Sequence, residues 1–567
     1  MADPEIKLPR TSSDGGYDSH NANGSFRPQA ENAVDKETGT AANSCKSSST
    51  SPEETIRYEY LTWQTELPTP AFPHPDALPP NLPSTAGYEK YISPFLWSES
   101  RKNLITWLSC AATVVTAYAA GSYTSGDQQM AEEWGVSRVA ITVGVTIFTT
   151  GFAIAPMVLA PFSEINGRRP VFVVTGILYV IMQLCCALTR SYGGMLVARF
   201  FKGCVSSTFS TMVGGVVSDI YQKEDRNTAM ALFSGAALLG TGLGPMISGF
   251  IAANTTWRWI FYHQVIMCGV LMVLIVIFFK ETRGSVLLSR RAKAINKYYD
   301  DMEAVGIVGV KSQDALGKEI VRRIRWKVKS DEERASIAKM ITISLYRPFH
   351  MLVTEPTVFF FSLWIAFSWS VLYLTFGAIP LVFRTLYGFT LDQAGAVFSV
   401  ISVAGILSTV IAIYSDKFMK KRRPDMNDTP EGRLWFPCIQ SCLMPIGLFW
   451  FGWTSFASVP WIVPVLGIGC ATMGIFSVYL AVFNYLADAY HRYASSALAA
   501  QSFCRNIIGG IVPLVIVQMY TNMGYQAASS LLGGIGIVLT AVPFVLLIWG
   551  PRIRARSKIA SEIMASE

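Results

Sequence analysis

The chain has 567 residues, of which 51% are hydrophobic and 15% charged, and its formal net charge is +8. Soluble proteins carry roughly 25% charged residues, so this composition argues against a string of soluble domains. Apolar runs of about 20 residues, each long enough to cross the membrane as a helix, recur along the chain. The positive charge lies between those runs, where membrane orientation explains it better than nucleic-acid binding does.

Residues 1–100 are rich in Ser, Asn, Asp, Gly and Pro. A segment of this composition does not bury a core of its own, so we predict a disordered tail. Its end, "LPTPAFPHPDALPPNLP", is typical of an extended spacer that leads to the membrane.

Twelve apolar runs predict twelve membrane-spanning helices in two sets of six. The predicted spans are 104–124, 139–160, 170–189, 195–217, 228–252, 259–279, 356–379, 391–414, 434–453, 461–485, 496–518 and 527–549. Two equal sets joined by a long polar segment are typical of internally duplicated transporters. The predicted fold is therefore an all-α integral membrane protein of two pseudo-symmetric six-helix bundles, 101–280 and 351–550, with a linker loop at 281–350 and a C-terminal tail at 551–567.

The distribution of Lys and Arg predicts the orientation. The segment from Lys280 to Arg347 holds sixteen Lys or Arg against nine Asp or Glu, and "DKFMKKRR" and "RIRARSK" add further basic clusters. By the positive-inside rule, both tails and the linker loop are expected in the cytosol. Within the linker, "KEIVRRIRWKVK" sets Ile320, Val321, Ile324 and Val328 on one stripe of a predicted helix. That helix would lie on membrane lipids or pack on the bundle.

The loop between the second and third spans reads "APFSEINGRRPVF". Glu164 ends the second span and Asp416 stands at the equivalent place in the second half. A carboxylate there can bind arginine and a neighbouring helix N-terminus, and Gly167 permits the tight turn. We interpret Glu164, Gly167, Arg168, Arg169 and Asp416 as a gate on the cytosolic face. The alternative is an ordinary positive-inside loop.

This stretch resembles motif A of the major facilitator superfamily, in the form found in fungal twelve-span drug:proton antiporters. The usual motif has Gly and Asp where this chain has Ala160 and Glu164. "WRWIFYHQVI", "PEGRLWFP" and "NYLADAYHRYASSALAA" fit the same branch, and the resemblance covers residues 100–558. It implies a membrane transporter that acts as a monomer, with no cofactor.

The fourth span carries "LVARFFKG", which is similar to the arginine motif of the family. An arginine within a span is a candidate functional residue because its burial is costly. The resemblance implies that Arg199 belongs to proton coupling, with Lys202 beside it where the family usually has Gln. This second cation favours anionic or polar cargo, unless both side chains reach toward one interface.

The fifth span carries "GAALLGTGLGPMISGF", in which Gly240, Gly244, Pro245 and Gly249 resemble the antiporter motif. Small residues at four-residue spacing let helices approach closely, and proline bends the helix. We expect Gly244 and Pro245 to let spans 5 and 8 seal against leak.

Polar and aromatic residues within the spans predict an amphipathic cargo cavity. The candidates are Tyr118, Tyr123, Trp369, Tyr373, Asn484, Tyr485 and Arg505. The alternative for each aromatic residue is packing or an interfacial belt. The carboxylates Asp127, Asp219 and Asp488 fall at span ends, so no proton-carrying acid is assigned.

The expected function is export of a small organic molecule by proton antiport, across the plasma or the vacuolar membrane. The cargo class is a drug, a secondary metabolite, a glycolipid or an organic acid. Proton-coupled uptake, polyamine transport and a non-transporting nutrient sensor of the same fold remain alternatives. Enzyme, ATP-driven pump and metal site are not expected, because the sequence has no Walker loop and no cluster of metal ligands.

Overall fold

The computed structural model describes residues 56–71, 83–222, 225–313, 319–332, 337–422, 431–490, 493–557 and 561. Helices occupy all twelve predicted spans. Those of the first bundle are Glu99–Gly121, Arg138–Asn166, Arg168–Leu188, Tyr192–Ser206 with Thr208–Thr211 and Val213–Ile220, Arg226–Asn254, and Arg258–Phe278. Those of the second are Pro356–Leu386, Leu391–Val397 with Ser399–Arg422, Trp435–Ser441 with Leu443–Thr454, Ile462–Tyr490, Ala494–Ile511 with Ile516–Met523, and Tyr525–Arg556. We number them spans 1 to 12.

Among the described residues, ten helices are long and apolar enough to cross a membrane, and span 11 adds an eleventh if its two parts, bent by 51°, count as one. Span 4 fails that length criterion because it is broken at Ser207 and Met212. Hydroxyl groups cause this irregularity: Ser207 and Thr211 donate to the carbonyls of Cys204 and Ser207 over 2.7 Å. Such side-chain bonds to the preceding turn bend helices.

The outer surfaces of the spans are apolar. Ile266 on span 6 is 63% exposed and Val538 on span 12 is 70% exposed. A soluble protein rarely leaves such large apolar areas in water, so we assign these surfaces to the lipid.

The most extensive contacts between the bundles are made by two helix pairs: span 2 packs on span 11, and span 5 packs on span 8. The pairs are equivalent in the two halves, because span 8 is the counterpart of span 2 and span 11 that of span 5. Any site between the bundles is therefore bordered by these four helices.

The predicted N-terminal tail is partly folded, which corrects the expectation of disorder for its described residues. Strand β1, Arg57–Tyr60, pairs in parallel with a strand of the linker, Ile324–Lys327. Residues 1–55 and most of the Pro-rich spacer lie outside the described residues. Because β1 pairs with the linker, the N-terminal segment and the linker lie on the same face of the molecule, which we call the linker face.

The linker itself contains strands where we expected an amphipathic helix. After the helix Gly284–Ala304 come β2, Val310–Gln313, and β3, Glu319–Arg322, which form an antiparallel pair, and then β4, Ile324–Lys327. The helix prediction was wrong because β-branched residues alternate with basic ones in this stretch, a pattern that also suits strands. A second helix, Ile337–Thr354, leads into span 7.

The linker and the N-terminal segment share a small core, which we call the linker subdomain. Its buried side chains are Leu61, Leu288, Ala292, Ile295, Tyr299, Val310, Ile324, Trp326 and Val328. Arginines fasten the strands to the helix, since Arg323 binds Glu303 over 2.6 Å and Arg325 binds Asp300 over 2.7 Å. Leu61, from the predicted tail, is 2% exposed and completes the core.

Candidate functional site

A cavity of about 530 Å³ lies between the bundles on the face opposite the linker. It is bordered by the end of span 1, the start of span 2, Pro245 and Gly249 of span 5, and the facing ends of spans 7, 8 and 11. Its charged lining residues are Asp127, Arg138 and Arg384. The cavity therefore opens toward the face that the positive-inside rule predicts to be outer.

On the linker face the bundles are held together by an ion-pair cluster. Arg226, at the start of span 5, donates to Asp488 at the end of span 10 over 2.8 Å. Arg433, before span 9, donates to the other oxygen of the same carboxylate over 2.6 Å. The Asp488 side chain is 3% exposed. Removing one partner from a buried ion pair is strongly unfavourable, so this cluster stabilises the closed linker face.

Next to this ion-pair cluster, Asn484 makes an uncharged contact between the bundles on the linker face. Its amide donates to Asn227 of span 5 over 2.8 Å. This placement differs from the predicted cargo role, because Asn484 lies at the closed face and does not border the cavity of this conformation.

Gly167 and Arg168 of the predicted gate pack closely against the carboxylate of Glu281. Gly167 has φ +100°, and a Cβ there would lie 2.2 Å from Oε2 of Glu281. The Glu281 carboxylate accepts the backbone N–H groups of Arg168 and Arg169 over 2.8 and 3.2 Å, and thus caps span 3 where the helix dipole favours negative charge. The acid at this helix N-terminus is therefore Glu281, and not Glu164 as the sequence suggested.

The other predicted gate residues have looser contacts. Glu164 lies 4.0 Å from Arg168. Asp416 pairs with Lys420 over 3.0 Å, one turn along its own helix, and no arginine among the described residues forms an ion pair with it. Arg169 donates to the Val276 carbonyl over 3.1 Å.

Two acids at the ends of spans 4 and 10 are better buried than Glu164 and Asp416. Asp219, at the end of span 4, binds Arg168 over 3.2 Å and Arg283 over 3.1 Å. Asp488 is its counterpart at the end of span 10. Sequence reasoning noted both acids but gave them no role, although their equivalent positions in the two halves were a usable signal.

Arg199 is fully buried in the first bundle, which excludes the alternative that it reaches toward an interface. Its Nε donates to the Gly144 carbonyl over 2.7 Å, and its guanidinium stacks 3.8 Å from the Tyr123 ring. Within the part of the chain that the structure describes, the two terminal nitrogens have no hydrogen-bond partner. Tyr123 also lines the cavity, so this ring separates Arg199 from the open space.

Lys202 is also fully buried. Its ammonium lies 3.4 Å from the Gln264 oxygen and faces the Phe261 ring at 5.2 Å. Gln264 in turn donates to Ser122 over 2.6 Å. The surroundings of both cations are thus amides, hydroxyls and aromatic rings.

The span 5 glycines allow close helix contacts, but two of them contact span 1 and not span 8. A Cβ at Gly240 or Gly244 would lie 2.3 or 2.5 Å from the carbonyls of Val114 or Tyr118 on span 1. Gly249 instead faces Gly395 of span 8, and Pro245 borders the cavity. The expectation that Gly244 meets span 8 was therefore wrong.

The remaining predicted cargo residues are buried and do not line the cavity. Arg505 lies 4.8 Å from the Trp369 ring, and Trp369 is 6.1 Å from Tyr373. Tyr118 lies 3.5 Å from Ser248 and from His263. Tyr485 donates to Glu431 over 3.2 Å, on the linker side. Of the predicted set, Tyr123 is the one that lines the cavity in this conformation.

Residues 103–513 match the model of the Major Facilitator Superfamily. The chain is 33% identical to the MFS-type transporter paaT of Penicillium rubens over 470 residues, 82% of each chain. It is 32% identical to the efflux pump FUB11 of Gibberella moniliformis, covering 82% of this chain and 75% of the pump. The multidrug transporter FLR2 of Candida glabrata is 30% identical, covering 86% of this chain and 80% of that protein.

The fold has a solved counterpart in the proton:xylose symporter XylE, with a TM-score of 0.56. The match covers 80% of this chain and 97% of XylE at 14% identity, so it concerns the fold alone. Relatives and fold neighbour alike are transporters of small molecules and not enzymes. The chain is thus a multi-pass membrane transporter of the major facilitator superfamily, in its branch of fungal drug-efflux proteins.

Proposed function

We propose that this transporter exports a small organic molecule in exchange for protons, acting as a monomer that alternates between outward-open and inward-open states. The observation that carries the proposal is the pairing of a cavity at one face with a closed ion-pair cluster at the other. An alternating-access carrier has this arrangement in its outward-open state. The efflux and multidrug names of the relatives favour the outward direction, and we place the protein in the plasma membrane.

The opposite state requires the linker face to open. In that step Asp488 would release Arg226 while spans 5 and 8 close around the outer cavity. The motif A residues Glu164, Gly167, Arg168, Arg169 and Asp416 would support the closed linker face next to this cluster. Tyr118, Trp369, Tyr373 and Arg505 would meet cargo as the cavity moves deeper between the bundles.

A proton gradient supplies enough energy for export. One elementary charge that crosses 100 mV releases about 2.3 kcal/mol, which corresponds to nearly fiftyfold accumulation because roughly 1.4 kcal/mol is tenfold. We assign the coupling to two buried cations of the first bundle: Arg199, which lies against Tyr123 of the cavity wall, and Lys202, one turn along the same helix.

Flux through proteoliposomes tests the proposal. Vesicles would be loaded with labelled acidic, basic and neutral organic molecules and assayed with and without an imposed pH gradient. We expect the gradient to accelerate transport of at least one class, and Arg199→Ala to abolish that acceleration while the protein still inserts. Equal rates with and without the gradient would favour facilitated diffusion, and gradient-driven movement together with the proton would favour uptake.

A further inference from the structure

The first bundle contains two buried cations without a carboxylate partner. Arg199 and Lys202, one helical turn apart, are both 0% exposed. Among the described residues no Asp or Glu forms an ion pair with either. A buried charge needs a counter-charge or a full set of hydrogen bonds, because desolvation is costly. The structure therefore has a local excess of positive charge that something else must compensate.

The atoms of Arg199 are arranged for an anion. Its Nε donates to the Gly144 carbonyl, whereas Nη1 and Nη2 have no acceptor among the described residues. A guanidinium presents such a pair of donors in the geometry that matches the two oxygens of a carboxylate. Gly144 thus fixes the orientation of the side chain and leaves the carboxylate-binding edge unused.

The neighbours of Lys202 are neutral. Gln264 accepts from both Lys202 and Gln183, and its own amide donates to Ser122. Phe148 lies 5.0 Å from the Arg199 guanidinium and 5.9 Å from the Lys202 ammonium. The site therefore combines two positive groups with an apolar aromatic wall, which suits an anion with an apolar body.

Tyr123 stands between this site and the cavity. It lines the cavity and lies over Arg199, and among the described residues its hydroxyl has no hydrogen-bond partner. A rotation of this side chain would connect the cavity to the guanidinium. The arginines at the cavity mouth, Arg138 and Arg384, differ because they are exposed and can be neutralised by solvent ions.

We propose that Arg199 and Lys202 form the carboxylate-binding subsite of this transporter, and that its cargo is an organic anion with an apolar body. The inference rests on the proposed export function and narrows it to one chemical class. Cargo in this site would supply the missing counter-charge, and Tyr123 would close over it.

Equilibrium binding to the purified full-length protein tests the subsite. The probes are benzoate and 1-naphthoate, with benzamide and 1-naphthamide as uncharged counterparts of equal shape, and the readout is the shift in Tm. We expect the two anions to raise the Tm and the amides to have little effect. Arg199→Gln and Lys202→Gln should each weaken anion binding by roughly tenfold to a hundredfold, the worth of a hydrogen bond to a charged group.

Arg290→Gln is the matched control, because it removes one positive charge from an exposed position on the linker helix. It should leave anion binding unchanged. Equal stabilisation by benzamide and benzoate, or no stabilisation of the wild type by any of the anions at millimolar concentration, would overturn the proposal. Benzoate binding undiminished in Lys202→Gln would do so as well, even if Arg199→Gln fails to fold. The assay uses no pH gradient, so failure of proton antiport leaves its outcome unaffected.

Discussion

The Nη2 atom of Arg226, at the start of span 5, lies 2.8 Å from the Oδ1 atom of Asp488, at the end of span 10. This ion pair joins the two bundles, whereas the equivalent acid of the first bundle, Asp219, binds Arg168 of its own bundle and Arg283 at the start of the linker. The pseudo-symmetry is therefore broken at one position. As a consequence, Asp488 can respond to the relative movement of the bundles.

We expect Asp488→Asn to favour the inward-open state. The change removes a charged hydrogen-bond acceptor worth about 1.5–3 kcal/mol per bond, and the linker face would open more often. A cysteine introduced at Ala412, which borders the small pocket behind Asp416 and Arg433, would be labelled faster by a maleimide in a background without native cysteines.

Glu303→Gln is the control for this labelling experiment, because Glu303 belongs to the linker subdomain. It should leave the labelling rate at Ala412→Cys unchanged. The same slow rate in Asp488→Asn as in the parent would contradict the gating role of the ion pair.

Glu164 and Asp219 allow a comparison within one bundle. Glu164 lies 4.0 Å from Arg168 and its side chain is 31% exposed, whereas Asp219 lies 3.2 Å from the same arginine and is 8% exposed. Exposed ion pairs contribute about 0–1 kcal/mol, so Glu164→Gln should have a small effect on thermal stability and Asp219→Asn a large one. A larger loss of Tm in Glu164→Gln would show that the motif A acid acts in a conformation other than this one.

Gly167→Ala should destabilise the protein strongly. The residue has φ +100°, and its Cβ would collide with the Glu281 carboxylate that caps span 3. The backbone here, at φ +100° and ψ 159°, lies in a region essentially restricted to glycine, and holding another residue there costs on the order of 1–3 kcal/mol. Gly193→Ala, where a Cβ would meet nothing within 4 Å, is the matched control for Tm in detergent. Equal Tm values for the two variants would contradict the observed turn.

Gly244→Ala should impair the packing of spans 1 and 5. The added methyl group would lie 2.5 Å from the Tyr118 carbonyl, a backbone atom that moves only with its helix. Gly269→Ala in span 6 adds the same group into open space. We expect Gly244→Ala to lower both Tm and flux, and Gly269→Ala to leave both unchanged. Size-exclusion profiles after heating measure Tm, and vesicle assays measure flux.

Trp326→Ala should loosen the linker subdomain without unfolding the bundles. Trp326 is 4% exposed, and its indole N–H faces the Tyr299 hydroxyl at 3.4 Å. Truncating a buried tryptophan costs about 3–5 kcal/mol. Limited proteolysis should therefore cut the variant faster within residues 56–71 than the wild type, while the membrane bundles keep their Tm. Unchanged cleavage would show that strand β1 is held by other contacts.

The sequence by itself determined the features that repeat along the chain. The lengths of the apolar runs predicted twelve spans, and the structure has helices in all of them. Crossing the hydrocarbon requires an apolar segment of nearly fixed length in which every backbone polar group is hydrogen-bonded. Motifs around Gly167 and Arg199 predicted the family, since they place glycine and arginine where few sequences tolerate them. Both signals lie within short contiguous stretches of sequence, so they do not depend on which distant residues the fold brings close.

The partners of these residues were decided only by the tertiary structure. Glu281, which caps span 3, is more than one hundred residues from Arg168 in the chain, and Asp488 meets Arg226 across the bundle interface. Leu61 lies in the core of the linker subdomain because β1 pairs with β4. No local pattern in the polar tail predicted this pairing. Likewise, no Asp or Glu among the described residues pairs with the buried Arg199, and this depends on which side chains the neighbouring spans bring to it. Helix formation is governed by nearby residues, whereas charge compensation depends on whichever groups the fold brings within a few ångströms.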